Sequence, residues 1–113
     1  MENNTINLAK DESFIHIVFF WLKNPGNKED RNEFETAIHK LLETSVYAKN
    51  KHFGIPADTN RPVVDNSYTY CLKVTFENLE AHDNYQIEPA HKLFLSEASK
   101  LWEEVLIYDS EVN

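Results

Sequence analysis

The run Phe14–Leu22 (FIHIVFFWL) is apolar on both of its faces. It is short, aromatic and β-branched, and it ends at the turn signal Asn24-Pro25-Gly26, which reads as a strand. Phe14, His16, Val18 and Phe20 share one face; Ile15, Ile17, Phe19 and Trp21 share the other. A strand of this kind needs cover on both sides. The chain has 113 residues, enough for one domain and too few for two. One layer of helices can cover one face of such a small sheet, so the second face calls for a second molecule. The expected assembly is a homodimer.

Residues 28–45 read as a helix with Phe34, Ala37, Ile38, Leu41 and Leu42 on one stripe. Asn27 is a capping residue, and Glu29 and Asp30 sit where the helix dipole favours acids. His39 falls off the stripe and reads as a solvated residue. A weaker strand follows over residues 46–53, diluted by Lys49, Asn50 and Lys51. Residues 54–67 form a long loop rich in Pro, Asp and Asn. Residues 68–76 alternate cleanly, with Tyr68, Tyr70, Leu72, Val74 and Phe76 on one face. A short helix over residues 78–85 takes Asn78 as its cap. Pro89 blocks its continuation, holds Glu88 extended and suits the first turn of a second helix near residues 90–100. Residues 105–109 are the last strand. The order strand, helix, strand, strand, helix pair, strand gives an α+β, ferredoxin-like split βαβ sandwich. Its antiparallel four-stranded sheet carries helices on one face.

Composition narrows the functional classes. The formal net charge of −8 argues against nucleic acid and against an anionic membrane surface. The longest apolar run is about half of a membrane-spanning helix. The polar, acidic residues 1–12 lack the order of a signal peptide and read as a mobile tail, as do residues 111–113; the domain occupies residues 13–110. The single cysteine, Cys71, excludes an intrachain disulfide and fits a reducing compartment, so a cytoplasmic location is expected. Glu88 and His91 stand three apart with His82-Asp83 nearby, a weak metal signal, but no HExxH, cysteine pair, dense carboxylate loop, Gly-rich phosphate loop or GxSxG elbow occurs, so neither a metal nor an organic cofactor is expected. His52 and His82 read as surface residues.

The order and spacing of several short motifs are more specific. They are FIHIVFFWLK, the Phe53-Gly54 pair, Val74-Thr75-Phe76-Glu77-Asn78 leading to Tyr85, Pro89-Ala90-His91, and the run Trp102 to Asp109. Together they resemble the stress-responsive A/B barrel (Dabb) family of the dimeric α/β barrel superfamily, over roughly residues 14–109. The resemblance implies ferredoxin-like protomers whose sheets pair into a barrel. In a plant polyketide cyclase of that family, a cofactor-free aldol condensation uses a tyrosine and a histidine. Tyr85 and His91 look equivalent to that pair, and His16 and Trp102 to pocket residues. Glu88 stands where the cyclase has a second histidine. The resemblance therefore implies an apolar or polyketide-like small molecule as partner.

His91 has the proton affinity of a general base near neutral pH, and Tyr85 can orient it or donate to an enolate oxygen. His16, Val18, Phe20, Leu72, Glu88, Phe94 and Trp102 are the candidate pocket lining. The competing reading makes His91 a pin for the Pro89 junction, with Tyr85, His16, Phe94 and Trp102 as core. The chain is then a non-catalytic dimeric ligand-binding or stress-associated module.

Overall fold

A computed structural model of the protein describes residues 12–113. Strand β1 (Phe14–Leu22) leads through the Asn24–Gly26 turn into helix α1 (Lys28–Thr44). Strands β2 (Lys49–Gly54) and β3 (Tyr70–Phe76) follow, then helices α2 (Leu79–Ile87) and α3 (Pro89–Ala98). A single 3-10 turn joins α3 to strand β4 (Trp102–Glu111). The sheet order is β2-β3-β1-β4 and every neighbouring pair is antiparallel. This is the ferredoxin-like arrangement expected from the order of elements. The expected tail over residues 1–12 lies, apart from Glu12, outside the described residues. No helix among the described residues is long and apolar enough to cross a membrane.

The helices start where their caps allow. Asn27 accepts the Asp30 N–H at 2.9 Å and Asn78 accepts the Ala81 N–H at 2.8 Å, each satisfying an otherwise orphan donor of a first helical turn. Glu88 is extended (φ −71°, ψ 153°), as the residue before a proline must be, and Pro89 opens α3. The chain therefore breaks between Ile87 and Pro89 instead of running on as one helix.

β2 begins three residues later than expected. The Ser45 hydroxyl accepts the N–H groups of Tyr47 and Ala48 at 3.3 and 3.2 Å. These amides are satisfied by a local turn and have no need of a sheet partner. Asn50, at positive φ, marks an irregularity in the β2–β3 register. β4 is longer than expected at both ends, because pairing with β1 carries its polar residues into the ladder.

The two sheet faces differ sharply. Along β1 the residues Phe14, His16, Val18, Phe20 and Leu22 are buried against the helices, while Ile15, Ile17, Phe19 and Trp21 are only half-covered. In register with them on β4, Leu106 is 40% exposed and Tyr108 is 59% exposed. The helix-side core centres on Phe34, whose ring is parallel to Tyr70 at 4.8 Å and edge-on to Phe20 at 4.9 Å.

Candidate functional site

The helical break brings two distant rings together. Tyr85, in the last turns of α2, and His91, in the first turn of α3, have ring centroids 4.9 Å apart. Beneath them His16 projects from β1, with its ring 6.0 Å from Tyr85. A cavity of about 210 Å³ opens beside these three residues. Val18, Phe20, Leu72, Phe94 and Trp102 complete most of its wall, and Val105 and Ile107 of the edge strand form a rim. So eight of the nine candidate residues, His16, Val18, Phe20, Leu72, Tyr85, His91, Phe94 and Trp102, border one space between sheet and helices.

Glu88 does not line that space. Its side chain is buried but turns toward the loop after α1. There it accepts the Ser45 hydroxyl on Oε1 and the Val46 N–H at 3.3 Å on Oε2. The residue at this position anchors the α1–β2 connection to the helix break. Two hydrogen bonds to a buried carboxylate are worth about 2–3 kcal/mol together after non-additivity. Glu88→Ala is therefore expected to lower stability by about that much in urea titration, with Glu88→Gln losing less.

The protonation states follow from burial. Desolvation lowers the His91 pKa, and the nearby His16 acts in the same direction. The Gln86 carbonyl and Glu88 oppose this, and His82 adds a small lowering. The Gln86 carbonyl makes no aligned hydrogen bond, however: His91 Nδ1 is buried without a partner among the described residues. His16 is likewise lowered, first by burial and against the pull of Asp109, whose Oδ1 lies 2.5 Å from His16 Nδ1. Tyr85 is pushed well above its ordinary value by burial and by the charge of Glu88, so its hydroxyl keeps its proton. The site thus holds neutral imidazoles beside a phenol that can only donate or accept a hydrogen bond.

Besides the cavity-lining Gln86, Leu95, Val105 and Ile107, Asp109 and His82 escape a reading of the sequence. Asp109 reaches His16 because β4 pairs residue for residue with β1, a register that no local pattern reveals. His82, expected at the surface, is half-buried: its ring stacks on Phe14 at 4.8 Å and stands edge-on to Phe76 at 5.6 Å. The signal was its position three residues before Tyr85, on the same side of α2.

This architecture has known counterparts. The model of the stress responsive A/B barrel domain matches residues 14–112. The chain belongs to the stress-responsive A/B barrel family. Among family relatives it is similar to olivetolic acid cyclase of Cannabis sativa, with 28% identity over 94 residues, 83% of this chain and 91% of the cyclase. Among solved structures it is similar to the hydroxynitrile lyase of Passiflora edulis (TM-score 0.73, 20% identity, 91% of this chain and 95% of the lyase). It is also similar to a dimeric ferredoxin-like protein of unknown function from Thermobifida fusca (TM-score 0.72, 19% identity, 94% and 97% of the two chains). The same fold thus serves a cyclase and a lyase, and the side chains around the cavity must carry any functional argument.

Proposed function

We propose that the protein is a homodimer whose protomers each bind a compact carbonyl-bearing small molecule in the cavity beside Tyr85 and His91. There it acts as a cyclase- or lyase-type enzyme without need of a cofactor. The observation that carries this reading is the Tyr85–His91 pair, with ring centroids 4.9 Å apart, on the wall of a largely apolar cavity that His16 also lines. In support, His91 Nδ1 is buried without a partner among the described residues, a cost of about 1–3 kcal/mol that core packing gives no reason to retain.

In this reading neutral His91 takes a proton from a carbon or hydroxyl next to the substrate carbonyl. The Tyr85 hydroxyl donates a hydrogen bond to the oxygen on which negative charge develops. His16, held by Asp109, sets the far wall. The cavity lies below the roughly 300–1,000 Å³ usual for drug-sized ligands, which favours a small or flat substrate over a long acyl chain. A cyclase and a lyase among the similar proteins support chemistry of this type. Pairing through the open sheet face is supported by its half-covered apolar residues and by the dimeric description of the Thermobifida fusca protein.

The test is native mass spectrometry of small molecules retained on purification, with thermal melting run in parallel. Wild-type protein is expected to retain a ligand that His91→Ala and Tyr85→Phe lose, with melting temperatures little changed. A His91→Ala protein that melts far lower, with no ligand on the wild type, assigns the ring to pinning the helix break and overturns the enzymatic reading.

A further inference from the structure

We propose that His16, His82 and Asp109 form a binding site for a divalent transition-metal ion of the zinc and cobalt class. The three side chains come from β1, α2 and β4, and each offers one ligand atom within 4.8 Å of the others. Two imidazoles and one carboxylate suit such ions, with a fourth position left for water or a ligand oxygen.

The surroundings of His82 give an independent reason. Its Nδ1 lies 3.1 Å from Asp83 Oδ1; metal-binding histidines are commonly oriented, and their tautomer fixed, by such an outer hydrogen bond to a carboxylate, a carbonyl or water. With the Nδ1 proton directed to Asp83, Nε2 carries a lone pair. That lone pair faces Asp109 Oδ2 at 3.7 Å. A ring lone pair and a carboxylate oxygen set opposite each other repel unless a proton or a metal ion lies between them, and with the ring proton on Nδ1 a metal ion fills that role. The Gln86 side-chain nitrogen also approaches Nε2, at 3.4 Å, which is long for an N–H contact. The stack on Phe14 already holds the His82 ring in place, so little mobility is lost on ligation.

His16 Nδ1 and Asp109 Oδ1, 2.5 Å apart, share a proton that the metal replaces. They must then separate to about 3.3 Å, the spacing of ligands roughly 2.0–2.2 Å from a tetrahedral ion. Asp109 has room to move, because its side chain is 39% exposed on an edge strand. Neither Tyr85 nor His91 is a ligand, so this site stands whether or not the reaction proposed above takes place. Because His16 also lines the cavity, the ion places a positive charge at that wall.

Zinc titration by calorimetry, paired with cobalt absorption spectroscopy, tests the site on the full chain. The expected result is saturable uptake of one ion per protomer, a cobalt d–d band and a raised melting temperature. His82→Phe keeps the stack on Phe14 while removing a ligand, and Asp109→Asn removes the charge. Each is expected to weaken binding roughly tenfold or more. His52→Ala, which removes an exposed imidazole remote from the site, is expected to bind as wild type. Absence of saturable uptake, or uptake abolished by His52→Ala and retained in His82→Phe, overturns the proposal.

Discussion

Replacing Leu106 by glutamate is expected to leave the protein monomeric at concentrations where the wild type is paired. Leu106 lies on the open face of the sheet, in register with Phe19 and beside Tyr108, and 40% of its surface is exposed in the protomer. The substitution therefore disturbs little inside one chain. In a two-fold interface each change occurs twice, and each copy buries an unpaired carboxylate against the partner's sheet. Such a charge costs roughly 3–5 kcal/mol, so the dissociation constant is expected to rise by a hundredfold or more. Sedimentation or light scattering reads the change directly. A wild-type protein that already sediments as a folded 13.2 kDa species would remove the premise, since Ile17, Phe19 and Tyr108 would then face water as a contiguous patch. Leu95→Glu serves as a control: it is comparably exposed but sits on α3, away from the open face.

The residues that a reading of the chain places well are those whose neighbours in sequence are also their neighbours in space. Phe34, Ala37, Ile38, Leu41 and Leu42 declare α1 by spacing alone, and all five are buried. The alternation along β1 separates a buried face from a half-covered one just as the period of two demands. Pro89 announces the break that sets Tyr85 opposite His91. What escapes is set by register and by side-chain choice. Asp109 meets His16 across 93 positions of chain, and only the β1–β4 pairing makes them partners. The Ser45 turn displaces the start of β2 because a hydroxyl competes with the ladder for backbone amides. Glu88 turns away from the cavity because two donors at the end of α1 offer a buried carboxylate more than an apolar wall can. His82 looks solvated on a polar helix, yet the aromatic rings of Phe14 and Phe76 give it a packed seat.

The largest loss of stability is expected from Phe34→Ala, and it follows from the way the cavity is supported. Phe34 has no exposed surface, and its ring meets Tyr70, Phe20, Phe94, Phe53 and Trp102 with centroids between 4.8 and 6.3 Å apart. These neighbours come from β1, β2, β3, α3 and β4, so a void at Phe34 cannot close by moving one element. Removing the ring should cost about 3–5 kcal/mol, from lost burial and the cavity left behind. For a domain of this size that is a fall on the order of 15 °C in melting temperature, compared at equal protein concentration because pairing would add to it. Three of the neighbours, Phe20, Phe94 and Trp102, form the inner wall of the candidate site. Phe34→Leu refills much of the volume and should recover a large part of the stability while leaving those rings less firmly held. If Phe34→Leu melts near the wild type yet loses a retained ligand, the aromatic cluster positions the site as well as the core. If it keeps the ligand unchanged, the cavity wall holds its shape without Phe34, and the cluster's contribution is stability alone.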